Sequence, residues 1–101
     1  MMSTRFQNII NSNKIVLVDF YADWCIPCKQ IPHILKQIKE EIDENFRIVK
    51  VNVDKNPMIA TKYQIRNLPT VIIFKKGEVV WTGMGTLDIE EIKSVVQKQI
   101  H

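Results

Sequence analysis

Two cysteines, Cys25 and Cys28, stand three positions apart in the segment Trp24-Cys25-Ile26-Pro27-Cys28, and they are the only cysteines in the 101 residues. Three chemistries use such a pair. A Cys-x-x-Cys pair is half of a structural zinc site, but that site needs four ligands, and the two histidines, His33 and His101, are singletons far apart in the chain. Inert buried cysteines are expected in the middle of an element rather than beside a tryptophan at its start. The third chemistry is a reversible dithiol. A buried-looking apolar run precedes the pair and a helical pattern follows it, so Cys25 falls at a helix N-terminus. Unpaired amide donors and the positive end of the helix dipole stabilise a thiolate there and lower the pKa of its thiol. Pro27 fits the first turn, where its missing N–H costs no helical bond. Cys28 is near enough to close a small ring with Cys25. As a structural staple the ring restricts too short a loop to stabilise much.

A dithiol that cycles needs a proton acceptor. Asp19 is the one charged residue in the run Ile15-Val16-Leu17-Val18-Asp19-Phe20-Tyr21. Burial without a full partner raises a carboxyl pKa and suits a base working near neutral pH. A salt-bridged structural aspartate is the other reading. Lys50 lies among Ile48, Val49 and Val51 and is the candidate cation to moderate Asp19, whereas strand alternation alone puts it on a wet face.

The elements that must position these groups follow from pattern. Phe6, Ile9 and Ile10 with a Thr4–Gln7 capping-box spacing predict a short amphipathic helix, closed by Asn11-Ser12-Asn13. The β-branched run 15–21 predicts a strand covered on both faces of a parallel sheet. Residues 26–44 carry Ile31, Ile34, Leu35, Ile38 and Ile42 at helical spacing, with Pro32 predicted to kink the helix and Asn45 to close it. Residues 48–53 alternate as a strand, giving a right-handed parallel crossover. Asn56-Pro57 predicts a cap and first turn of a short helix to residue 63. Residues 71–74 and 79–81 predict an antiparallel hairpin around Lys75-Lys76-Gly77-Glu78. Asp88 and Glu91 mark a last capping box, before a helix with Ile89, Ile92, Val95, Val96 and Ile100 on one stripe.

The whole is one α/β domain, residues 1–101, with a mixed sheet of four strands covered by helices. Its size, 11.8 kDa, leaves no chain for a second core. At 46% hydrophobic and 25% charged, with three Gly and four Pro, the composition excludes collagen-like and disordered classes. Apolar runs such as Val71-Ile72-Ile73-Phe74 fall far short of the roughly 18 residues of a membrane helix, and no leader-like run follows the start. The net charge of +3 is scattered and predicts solubility rather than nucleic-acid binding.

Four ordered blocks resemble the thioredoxin family across nearly the whole chain. They are Val18-Asp19-Phe20-Tyr21-Ala22-Asp23-Trp24-Cys25-Ile26-Pro27-Cys28-Lys29, Val49-Lys50-Val51-Asn52-Val53-Asp54, Ile65-Arg66-Asn67-Leu68-Pro69-Thr70, and Lys76-Gly77-Glu78. The resemblance implies a thioredoxin-like fold, a nucleophilic Cys25, a resolving Cys28, a buried lysine at Lys50 and a cis peptide before Pro69 beside the dithiol. It also implies a docking patch for substrate proteins made by Trp24, Ile26, Pro27, Leu68 and the Gly83–Gly85 segment, with Leu68 backbone groups pairing an extended peptide. For Trp24 a core position is the competing reading. Trp81, Met58, Met84 and Tyr63 are expected to be packing residues, and His33 and His101 to be solvated. Two departures stand out: Ile26 replaces the family's usual Gly, and the family's first edge strand is expected to be missing, leaving four strands rather than five.

The function so implied is protein-disulfide reduction with no metal and no bound organic cofactor, by a cytoplasmic monomer recharged by a thioredoxin reductase. No nucleic-acid or membrane partner is expected. A periplasmic or membrane-tethered reductase is the second redox reading. A non-catalytic thioredoxin-fold binding subunit of another enzyme is the alternative from a different class.

Overall fold

The computed structural model describes residues 4–42 and 46–100. Helix α1 (Thr4–Ile10) leads into strand β1 (Ile15–Tyr21), whose side chains are buried on both faces until Tyr21. A 3-10 turn (Pro27–Gln30) and helix α2 (Ile31–Glu41) follow, then β2 (Phe46–Asn52), α3 (Pro57–Lys62), β3 (Thr70–Lys75), β4 (Glu78–Met84) and α4 (Ile89–Ile100). The sheet order is β2-β1-β3-β4. β1 and β2 are parallel, with Asp19 opposite Lys50, and the other two pairings are antiparallel. This is the expected four-stranded mixed sheet.

Alternate residues divide the core into two layers, because successive strand side chains point to opposite faces. Ile15, Leu17, Val71 and Ile73 pack under Ile31, Leu35 and Ile38 of α2 and Ile92 and Val96 of α4. Val16, Val18, Phe20, Ile72 and Phe74 pack under Phe6 and Ile10 of α1 and Ile59 of α3. Asp19 is in register with the first set.

Several boundaries differ from expectation for identifiable reasons. Thr4 already belongs to α1 and so does not cap it. No continuous helix spans 26–44. Pro32 has no N–H to give Cys28 O at the helical i−4 position, so Ile31 N–H bonds to Cys28 O instead, a 3-10 contact. Helix α2 then restarts with Pro32 in its first turn, where it causes no kink. The predicted closure at Asn45 lies outside the described residues, as does His101. Asn56 stands at the cap of α3, but its Nδ2 donates backwards to Asn52 O at 3.0 Å rather than its side chain capping the helix. Asp88 Oδ1 does cap α4, accepting from Glu90 N at 2.9 Å and Glu91 N at 3.4 Å.

The β3–β4 hairpin turns on Lys76 and Gly77, both at positive φ (52° and 83°), the geometry that matches the strands' right-handed twist. A side chain at Gly77 would also strike Asn11, and Gly77 N donates to Ile10 O, which ties the hairpin to the end of α1.

Candidate active site

Strand β1 ends at Tyr21, and the chain turns so that Cys25 N donates to Ala22 O at 3.1 Å. Cys25 thereby sits just ahead of the 3-10 turn that holds Cys28. The two sulfurs are joined in a disulfide, with the Cα atoms 5.4 Å apart. Cys28 N–H points at Cys25 Sγ, 3.3 Å away. That amide is one of the orphan donors of the turn's N-terminus, so a Cys25 thiolate in the reduced protein meets both a hydrogen-bond donor and the positive end of the backbone dipoles. Both cysteines are buried, packed with Ala22 and against Tyr21, Val53 and Leu68.

Above them the surface is apolar and open. Trp24 is 68% exposed and Ile26 is 74% exposed, which rules out a core position for Trp24. Its indole is held from outside the motif: Trp24 Nε1 donates to Asp54 Oδ2 at 2.9 Å. Asp54 is fixed in turn, its amide donating to Asn52 Oδ1 at 3.0 Å. Pro27 is exposed and Leu68 half-buried. The Leu68-Pro69 peptide is cis, as the resemblance implied, and Gly85 N donates to Pro69 O at 3.0 Å, joining the two loops beside the dithiol.

Gly83 departs from its expected place on the docking patch. It lies within β4 opposite Val71, and a Cβ there would collide with the Trp81 ring. It is a packing position that admits the indole. Met84, expected to pack, is 58% exposed and pairs with Thr70 next to Pro69. Met58, also expected to pack, is exposed on α3. Tyr63 does pack, its ring 5.2 Å from that of Phe74, and His33 is exposed on α2 as expected.

Asp19 has no exposed surface, and neither carboxylate oxygen has a hydrogen-bond partner among the described residues. Loss of solvation pushes its pKa up from 3.8 to about 6, and the Lys50 charge pulls the other way without cancelling it. The structural salt-bridge reading therefore fails: Lys50 acts at a distance. The Lys50 side chain is exposed rather than buried, as alternation required, yet its ammonium lies over the Tyr21 ring, 4.7 Å from the centroid. Asp19 lines a cavity of about 370 Å3 with Pro32, Leu35, Ile48 and Lys50. Cys28 lines a neighbouring one of about 420 Å3 with Tyr21, Asp23, Pro32 and Lys50. Pro32 and Lys50 are common to both, so the acid and the inner sulfur approach the same partition from two sides.

Sequence reasoning missed Asp54 and Tyr21 as site residues. Both lie inside the quoted blocks, but nothing in spacing alone reveals that Asp54 reaches Trp24 or that Tyr21 faces Lys50.

Among the described residues no three His, Cys, Asp or Glu side chains gather as a metal site would require, and no helix is long and apolar enough to cross a membrane.

The thioredoxin family's sequence profile matches residues 1–98. A thioredoxin of Pyropia yezoensis is 44% identical over 94 residues, covering 93% of this chain and 88% of its own. One from Buchnera aphidicola subsp. Baizongia pistaciae is 45% identical over 87 residues, covering 86% and 80%. Among solved structures, a mutant thioredoxin from Halobacterium salinarum NRC-1 superposes with a TM-score of 0.86 at 30% identity, covering 98% of this chain and 86% of its own. Oxidised mitochondrial thioredoxin 3 from Saccharomyces cerevisiae gives 0.83 at 29% identity, covering 94% and 88%. With the match spanning nearly the whole chain and Cys25 joined to Cys28 at a helix start, the chain belongs to the thioredoxin family as a thiol-disulfide oxidoreductase.

Proposed function

We propose that the protein is a reductase of protein disulfides, with Cys25 as nucleophile, Cys28 as resolving thiol and Asp19 as the base for Cys28. The observation that carries this is the Cys25 sulfur: it accepts the Cys28 amide and lies beneath an open apolar rim of Trp24 and Ile26. In the reduced protein the Cys25 thiolate attacks one sulfur of a substrate disulfide. A mixed disulfide forms and the other substrate sulfur leaves as a thiolate. The Cys28 thiol then gives its proton to Asp19 and attacks Cys25 Sγ. The second substrate sulfur leaves as a thiolate, the two substrate thiolates take up protons from solvent, the substrate has gained two electrons, and the protein is left with the Cys25–Cys28 disulfide.

A partner thioredoxin reductase returns two electrons and two protons. On this reading the protein works with no metal and no bound organic cofactor, as a cytoplasmic monomer. Trp24, Ile26, Pro27, Leu68 and Gly85 form the docking face, with Met84 added to it and Gly83 left as a packing position under Trp81. Pro69 presents no amide donor to the sulfurs, which leaves the Leu68 backbone to pair an extended substrate segment.

Timed alkylation of the reduced protein tests the assignment. Cys25 is expected to react first, at a pH well below that of an ordinary thiol. Cys28→Ser is expected to accumulate the mixed disulfide with insulin, and Cys25→Ser to lose turnover altogether. Earlier labelling of Cys28, or full biological activity in a Cys25→Ser/Cys28→Ser variant, would overturn the proposal. The second of these would favour a non-catalytic binding subunit.

A further inference from the structure

The Lys50 ammonium has a choice of positions. Lys50 is the register partner of Asp19 across β1 and β2, and neighbours in register share a face of the sheet. Tyr21 is two residues beyond Asp19 on β1 and shares that face too. The shortest course for the ammonium is toward the buried carboxylate, and the most solvated is straight out into water. It takes neither. It lies over the Tyr21 ring, at the partition between the Asp19 cavity and the Cys28 cavity.

We propose that Tyr21 is a positioning residue, whose ring face holds the Lys50 ammonium within electrostatic reach of both Asp19 and Cys28 without letting it pair with either. The attraction of an ammonium for an aromatic face is modest at an exposed site, which suits a tether that must not become a salt bridge. Without it the side chain gains freedom and solvation by moving outward, and the buried carboxylate keeps its desolvation while losing the positive charge that offsets it.

The other charges around Asp19 do not substitute for Lys50. Lys36, Lys39 and Glu40 of α2 line its cavity, and Lys39 Nζ already donates to Phe46 O. Asp23 and Lys29 line only the cavity on the Cys28 side. From β3 the residue opposite Asp19 is Val71, and α4 contributes Ile92 and Val96 to this layer.

The proposal rests on the role given to Asp19, but its test does not use turnover. Titration of the Asp19 carboxyl carbon by NMR in the oxidised protein reads the effect directly. Tyr21→Leu is expected to raise the Asp19 midpoint by about half a pH unit, Tyr21→Phe to leave it at the parent value, and Tyr21→Trp to lower it, following the strength of the ring face. In a Lys50→Met background, where the midpoint is already raised, the Tyr21 variants are expected to coincide. A Tyr21→Leu midpoint equal to the parent's would overturn the proposal. So would the same shift with and without Lys50, which would mean that the ring acts by packing alone. If Tyr21→Leu does not fold, Tyr21→Trp decides. A midpoint that falls when Lys50 is present and stays fixed in the Lys50→Met background supports the tether, and one that moves in both backgrounds or in neither overturns it. The expected midpoint series alongside undiminished insulin turnover in Asp19→Asn would remove the base and leave the tether standing.

Discussion

On the α1/α3 side of the sheet, Phe6, Phe74 and Tyr63 meet edge to face with centroids 5.2–6.2 Å apart, and Val16, Val18 and Phe20 close the layer with no exposed surface. On the α2/α4 side the same strands present Ile15 and Leu17, but the next residue in that alternation is Asp19, beside a cavity and without a hydrogen-bond partner among the described residues. The two layers are made of the same strands at the same spacing. The first closes on an aromatic cluster and supplies stability. The second keeps a carboxylate from water, which costs stability. The aromatic cluster and the buried acid thus fall on opposite faces of one sheet.

That division is most exposed to test from the inert side. Phe74→Ala removes a fully buried ring from the aromatic cluster and is expected to cost about 3–5 kcal/mol in denaturant unfolding. The equilibrium of its dithiol with a glutathione buffer is expected to match the parent's. A displaced redox equilibrium in a protein that is still folded would show that the layers are coupled.

Asp19→Asn probes the reactive side, and the sign of its pH dependence follows from the raised pKa. The folded protein holds the Asp19 proton up to about pH 6, whereas the unfolded chain releases it near 3.8. Below both values Asp19 is neutral in either state and costs nothing through ionisation. As pH rises through that window the unfolded chain ionises first, so the parent loses stability, by about 3 kcal/mol in all once pH exceeds the upper value. Asparagine does not titrate. The variant is therefore expected to depart from the parent's pH trend, gaining on it between about pH 4 and 7 by up to that amount. Resolution of the mixed disulfide is expected to slow roughly 10-fold or more. A stability difference that is flat with pH, or parent-like insulin turnover, would return Asp19 to a structural role.

Much of this was legible in the sequence. Asp19 stood out because a charge in a β-branched run violates its surroundings, and the Cys pair because it fell where a strand passes into a helix. The hairpin turn was legible because Lys76-Gly77 needs a backbone that glycine favours. What was not legible is what depends on contact across the fold. Alternation shows that β1 has two buried faces but not which helices cover each. The resemblance put Gly83 on the docking patch, and only its pairing with Val71 and the Trp81 ring laid over it place it inside β4. Pro32 signalled a disturbance, but whether it kinks a helix or begins one depends on which amide reaches Cys28 O. The two exposed methionines, Met58 and Met84, carry no pattern that sets them apart from buried ones.

The finest test of the comparison is at Ile26, where the reactive face meets solvent. Its backbone is right-handed helical, at φ −63° and ψ −49°, so no glycine is needed there and isoleucine is accommodated without strain. Two effects of the side chain favour the disulfide. A β-branched residue narrows the freedom of the open dithiol, so closing the ring costs less entropy. An apolar group beside Cys25 also withholds water from the thiolate and disfavours the reduced form. Because Ile26 projects outward and is 74% exposed, the second effect is small and the first dominates. A glycine in place of a side chain with compatible backbone angles changes chain entropy by about 0.4–1 kcal/mol, which for a two-electron couple is roughly 10–20 mV. Ile26→Gly is thus expected to be the weaker reductant by that margin when both proteins are titrated in the same glutathione buffers. If the glycine protein is the more reducing of the two, entropy of the open dithiol does not set the balance, and desolvation by the side chain acts in the opposite sense to the one argued.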